Sequence, residues 1–195
     1  MDNVRLFLKG VSEIMGNEKI GLITLTDESQ ERQISIVCDW ETAQGINIRM
    51  KHKIDKSTSL PEVMASMLTA RCPNKAAYSI NITGIENEQY KTYIIGEDTG
   101  EIHKIKASAA ALLSLVMDIP IYIDKTLMRK QSISNRALHD RATIPINVVK
   151  SSILEETLER AIKEEDYETA SKIHTELERR KHEGNGYGEK TDKGL

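Results

Sequence analysis

The feature that most constrains this chain is an arrangement it presents twice: three short runs of alternating, β-branched residues, then a helical stretch. Val4 to Val11, Lys19 to Thr26 and Arg32 to Cys38 alternate as half-buried strands do, with Gly16-Asn17 and Asp27-Glu28-Ser29 as turns. After Cys38 the period becomes helical. Asp39 can cap the free amides of a helix whose first turn carries Glu41, favoured at the positive dipole end, and that helix is expected to run to about Met50. Tyr78 to Ile85, Tyr90 to Gly96 and Glu101 to Lys106 repeat the strand pattern, and a helix from Ser108 to about Met117 follows. Laying Ile36 to Glu41 over Lys104 to Ala109 brings the two strand-to-helix junctions into register, which implies an internal duplication.

Between the halves, a helix from Leu60 to Ala70 starts with Pro61 in its first turn and would place Val63, Met67 and Ala70 on one face. Ile119 to Ile123 reads as a last buried strand, followed by a short helix from about Lys125. The apolar period then fades. Leu154, Leu158 and Ala161 recur at helical spacing, Glu164-Glu165-Asp166 interrupts with Asp166 as a helix cap, and Tyr167, Ala170, Ile173 and Leu177 begin a second stripe. The expected fold class is α+β: a duplicated three-strand-plus-helix unit forming a mixed, largely antiparallel sheet with helices, followed by a C-terminal α-helical hairpin. The domain reading is 1–130 for the sheet domain, 131–151 for a linker, 152–181 for the hairpin and 182–195 for a disordered tail.

Charge and cysteine content narrow the function. A net charge of −3 gives no bulk attraction to phosphate backbones, so any nucleic-acid contact has to use a local patch. Cys38 and Cys72 form no metal-type or disulfide pattern, the first residues lack a signal-peptide pattern, and no apolar run reaches a membrane span. The expectation is a cytoplasmic protein of reducing compartment with no membrane association. The basic run Arg49, Lys51, His52, Lys53 and Lys56 is the candidate phosphate contact, with Arg49, Lys51 and Lys53 as its core. Solvation of a helix C-terminus explains the same cations. Aromatic residues, at 4% of the chain, argue against a base-stacking platform. Histidine spacing gives no zinc site, and the glycines form no phosphate-binding loop.

The string from Leu154 to Arg180 resembles the UVR motif, shared by the B and C subunits of bacterial nucleotide-excision repair and by some Clp-type stress proteins. Leu154, Leu158, Ala161, Asp166-Tyr167-Glu168, Ala170, Ile173 and Leu177 carry the match, and His174 stands where an arginine is common. The resemblance implies a bacterial protein with a DNA-repair-type interaction motif. It implies a protein partner met through Leu158, Tyr167, Glu168, Ala170 and Ile173.

The first 130 or so residues resemble the bifunctional nuclease family, on the order of elements, on Asp39 to Ala43, and on Ser108 to Leu115 leading to Ile119-Pro120-Ile121-Tyr122-Ile123. That family is described as cleaving DNA and RNA, which implies a hydrolase with Mg2+ or Mn2+ held by carboxylates. The family's acidic, arginine and Pro-Ser-Asp-Ala pattern corresponds here to Lys104, Lys106, Ala107, Ser108 and Ala109, and its threonine-histidine-aspartate string to Leu60-Pro61-Glu62. Asp39 and Glu41 are the remaining candidates for a catalytic site. A helix cap and a first-turn dipole partner explain the same two residues. Three readings stay open: a metal-dependent nuclease recruited by its hairpin, a non-catalytic adaptor whose sheet domain binds a ligand or forms a homo-oligomer, and a nucleic-acid binder without cleavage.

Overall fold

Alternating apolar side chains produce a three-stranded antiparallel meander at the start of the chain: β1 (Asn3–Ile14), β2 (Asn17–Asp27) and β3 (Arg32–Asp39). The computed structural model describes residues 2–14, 17–51, 59–71, 77–134, 149 and 151–185. Asp27 makes the second turn by accepting from the Arg32 amide at 3.1 Å and the Ser29 hydroxyl at 3.0 Å. Two helices follow, α1 (Trp40–Met50) and α2 (Leu60–Arg71). A second meander then forms from β4 (Tyr78–Glu86), β5 (Gln89–Gly96) and β6 (Ile102–Ile105), leading into α3 (Ala107–Met117), β7 (Ile121–Asp124) and α4 (Lys125–Gln131).

The duplication is visible in the topology. The eight strands lie in the order β6-β5-β4-β7-β1-β2-β3-β8, so the two meanders flank β7 as approximate mirror sequences. β7 runs parallel to β4 and antiparallel to β1, which makes an otherwise antiparallel sheet mixed. β8 (Ile133–Ser134) pairs with the start of β3. The sheet therefore continues past residue 130, into the segment the sequence reads as linker, because Arg32 fastens this turn by donating to Ser132 Oγ at 2.6 Å.

One sheet face is aliphatic and carries the helices. Leu6, Ile23, Leu25, Ile34, Ile36, Ile80, Ile82, Ile121 and Ile123 are buried, with Ala43 and Ile46 of α1 and Ala107, Ala110 and Ala111 of α3. Small residues let the helices come close. A Cβ on Gly21 of β2 would stand 2.3 Å from the Ala43 Cβ, so glycine is required for α1 to lie on β2.

α2 forms where the sequence places it, and Val63, Met67 and Ala70 share one of its faces, but that face is not the buried one. Val63 and Met67 are 40% and 66% exposed, and the residue that α2 buries is Ala65, at 7%. The helical period is present, but which side meets the core is set by the neighbours: α2 packs beside α3, and Glu62 is tied to Arg49 of α1.

Chain contacts divide the molecule into Met1–Pro145 and Ile146–Leu195. In the second unit, α5 (Ser151–Lys163) and α6 (Tyr167–Asn185) form a hairpin around Leu154, Ala161, Ala170, Ile173 and Leu177, all buried. Arg180 holds its open end by donating to the Val149 carbonyl at 2.8 Å and Ser151 Oγ at 3.0 Å. α6 runs to Asn185, four residues past 181, so the helix enters the stretch read as a tail; 186–195 lie outside the described residues. No helix among the described residues is long and apolar enough to cross a membrane.

Candidate functional site

The two strand-to-helix junctions are where chemistry was expected, and their local structure differs. At the first, Asp39 leaves β3 in an extended conformation and caps α1: its carboxylate accepts from the Thr42 amide at 2.7 Å and from the Thr42 hydroxyl at 2.9 Å. Both carboxylate oxygens are thereby engaged. Partial burial works to raise the Asp39 carboxyl, but the two Thr42 hydrogen bonds, helped by the charge of Lys106, hold it below the usual carboxylate range. Glu41 sits exposed in the first turn of α1, where the dipole favours it.

At the second junction the cap position is Lys106, which makes no side-chain cap bond. Its backbone, with φ −65° and ψ 137°, matches that of Asp39, with φ −66° and ψ 154°. The equivalence is therefore Asp39 with Lys106, one residue away from the sequence register that set Asp39 over Ala107. Glu41 then corresponds to Ser108 rather than Ala109. The fold brings the junctions near enough for the charge of Lys106 to favour the ionised Asp39, the least of the influences on that carboxyl.

A repetition explains the first junction. The four residues Asp39-Trp40-Glu41-Thr42 recur as Asp166-Tyr167-Glu168-Thr169 at the start of α6, and there Asp166 accepts from the Thr169 amide at 3.2 Å and hydroxyl at 2.7 Å. The same Asp-aromatic-Glu-Thr string makes the same cap twice. Comparing the two strings in the sequence could have revealed it.

Among the described residues, the carboxylates at the two junctions do not fit a divalent ion. Magnesium and manganese take clustered oxygen donors, whereas Asp39 is committed to Thr42 with Lys106 nearby. Among the described residues no group of three or more His, Cys, Asp or Glu side chains is placed to hold a metal.

The basic run is likewise redistributed. Arg49 donates through Nε and Nη2 to both oxygens of Glu62 at 2.7 Å, and further to the Gly45 carbonyl and Ser59 Oγ at 2.8 Å. Their side chains are only 8% and 11% exposed, so the guanidinium expected to meet phosphate instead fastens α1 to α2. Glu62 is held below the usual carboxylate range chiefly by that hydrogen bond. Lys51 is exposed at the C-terminus of α1. Lys53 lies outside the described residues, as do His52 and Lys56.

In the hairpin, the expected contact residues separate into two groups. Ala170 and Ile173 are buried against α5 and are corrected to core, because two short amphipathic helices cover their own apolar stripes first. Tyr167, 68% exposed, and Glu168 face outward at the turn, and Leu158 is half-buried. Ile162 is exposed beside the same turn and was not anticipated; its position outside the Leu154-Leu158-Ala161 stripe was the available signal.

Comparison with known proteins gives two matches. Residues 23–136, more than half of the 195, match the family model described as the bifunctional nuclease domain, and residues 154–182 match the UvrB/uvrC motif. No curated protein matches the chain.

Proposed function

Because the chain belongs to the bifunctional nuclease domain family, with a UvrB/uvrC motif at its C-terminus, we propose that it keeps the family's architecture as a non-catalytic adaptor, whose hairpin docks a protein partner. The observation that carries this reading is the pair of identical caps. Asp39 is used as Asp166 is used, to satisfy helix amides, and the matching position at the second junction holds Lys106. Phosphodiester hydrolysis through a metal needs several free carboxylate oxygens around one ion. Asp39 and Glu41 do not supply them.

The docking surface is the turn end of the hairpin. Ile162 and Tyr167 stand 54% and 68% exposed within a short helical pair, with Glu168 and Lys172 joined at 2.6 Å on the same end of α6. An apolar pair rimmed by charge is the usual form of a small protein contact. Purified protein with magnesium or manganese should show no cleavage of single- or double-stranded DNA or RNA above that of Glu41→Gln. Metal-dependent cleavage lost in Glu41→Gln would restore the nuclease reading. Affinity capture should recover a specific partner that Tyr167→Asp loses while the helical circular dichroism is unchanged. Equal capture by Tyr167→Asp would remove the docking assignment.

A further inference from the structure

The sheet ends on β6, and among the described residues no strand lies beyond it. Ile102 is 62% exposed, and the side chains of Glu101, His103 and Lys104 are 67%, 69% and 64% exposed. The direction of the backbone groups follows from one bond. The Gly96 amide donates to the Glu101 carbonyl at 2.9 Å, which makes these two a hydrogen-bonded pair of the antiparallel ladder. Alternation then turns the amides and carbonyls of His103 and Ile105 toward Ile94 and Thr92 of β5, and those of Ile102 and Lys104 outward. An edge of this kind is a template for another strand, and a lysine commonly guards it. Here the lysine is drawn inward: Lys104 Nζ is bonded to Glu86 of β4, on the far side of β5.

We propose that β6 pairs with the same strand of a second copy of this chain, antiparallel about a two-fold axis at Ile102, so that two eight-stranded sheets join edge to edge. A two-fold contact requires an edge complementary to itself. Centred on Ile102, the pairing sets Glu101 opposite the partner's His103 and His103 opposite the partner's Glu101, while Ile102 meets Ile102 of the partner subunit. The other centres are worse. An axis at Glu101 opposes two carboxylates, one at His103 opposes two imidazoles and sets Ile102 against a lysine, and one at Lys104 opposes two ammonium groups. Like charges directly across a ladder are destabilising and opposite ones favourable, so charge selects the Ile102 register.

In that register the backbone of Ile102 exchanges two hydrogen bonds across the axis. The Glu101 and His103 pairs fall at the non-hydrogen-bonded positions beside it, where side chains come closest, with Cβ atoms roughly 4.5–5.5 Å apart. Within one chain His103 Nε2 already lies 3.8 Å from a Glu101 carboxylate oxygen, so the two groups share one side of the strand and are not held by other partners. An imidazole N–H donates to a carboxylate whether the ring is neutral or protonated, so the pairing does not depend on acid. On the other face the two Ile102 side chains cover each other, which accounts for an exposed isoleucine on an edge otherwise lined by polar groups. Four residues make a small contact, so the dimer is weak and forms with rising concentration. This inference does not rest on the adaptor reading.

The test is sedimentation equilibrium of the full chain over a wide range of concentration, which should show monomer and dimer in exchange. Ile102→Pro removes the outward amide and leaves the bonds to β5, since proline is accepted where a strand N–H points away from the sheet. It should weaken association by about tenfold or more through loss of both central bonds, with circular dichroism unchanged. Glu101→Lys and His103→Glu should each weaken it roughly tenfold, because each change is felt at both symmetry-related pairs. Exchanging the two residues, Glu101→His with His103→Glu, restores opposite partners and should return association to within about threefold of the natural chain. These exposed substitutions keep the experiment decisive if the proline variant unfolds. A monomer at every concentration, a dimer indifferent to Ile102→Pro and Glu101→Lys, or a double exchange no better than its single changes would each overturn the proposal. Loss of the dimer on Tyr167→Asp would overturn it as well, by placing self-association on the hairpin.

Discussion

The junctions at Asp39 and Lys106 have the same backbone geometry and opposite chemistry. The first is braced three ways: Asp39 caps α1, Gly21 lets α1 lie directly on β2, and Arg49 at the far end of α1 clamps α2. The second has none of these. α3 begins without a side-chain cap and carries no acidic residue in its first turn, so its position comes from Ala107, Ala110 and Ala111 packed on the sheet. One half of a duplicated unit is held by polar bonds and the other by small-residue packing. This difference teaches that Asp39 and Glu41 can be retained for structural reasons, independent of chemistry at the paired site.

The comparison is most strongly broken at the clamp. Glu62→Ala should destabilise the sheet domain by about 3 kcal/mol, since it leaves a mostly buried guanidinium uncompensated; urea unfolding measures it. The sign with pH follows from the lowered carboxyl of Glu62. Its contribution is complete above the ordinary value of 4.5 and is lost as pH falls through the lower folded value. An acid titration of stability should therefore be flatter for Glu62→Gln than for the natural chain below that point. Gly21→Ala should cost about 1–3 kcal/mol by forcing α1 away from β2. No counterpart of that effect is expected from an alanine already at α3.

Exchanging the caps sharpens the comparison directly. Asp39→Ala should lose about 1 kcal/mol, and Lys106→Asp should gain up to about 1 kcal/mol by capping the open helix, both read from thermal unfolding. If Lys106→Asp is neutral or harmful, the missing cap is not what separates the junctions. The smallest effect concerns Cys38, one residue before the braced cap. Burial, reinforced by the Asp39 charge, pushes its thiol up to about 12. Iodoacetamide at pH 8 should leave Cys38 unmodified in the folded protein, as read by mass spectrometry, and modify it after unfolding.

Much of the fold was legible because its signals are local. Strand alternation, the Asp39 and Asp166 caps and the two stripes of the hairpin each depend on residues within one or two turns of each other, and the observed elements follow them within a few residues. The candidate site was less legible. The cap role of Asp39 and the first-turn place of Glu41 were legible, but the register of the second junction was displaced by one residue, since a cap is defined by backbone dihedrals and Lys106 leaves no side-chain signature. Arg49 read as a free cation because its partner Glu62 lies thirteen residues away on another helix. The motif resemblance that pointed to Ala170 and Ile173 as contact residues does not say whether their first partner is internal, and α5 is that partner.

The sequence by itself determined the duplicated meander-plus-helix pattern, the helical hairpin and the identity of both N-terminal aspartate caps, because those are near-neighbour interactions written in residue order. Tertiary structure alone decided which side of α2 is buried, that Arg49 is consumed by Glu62, and that the charge of Lys106 reaches Asp39. It also set β6 at the end of the sheet, with the backbone groups of Ile102 and Lys104 turned away from β5. Those outcomes depend on strand pairing and helix packing between distant segments, whose register is set by the whole apolar core and by no single stretch of chain.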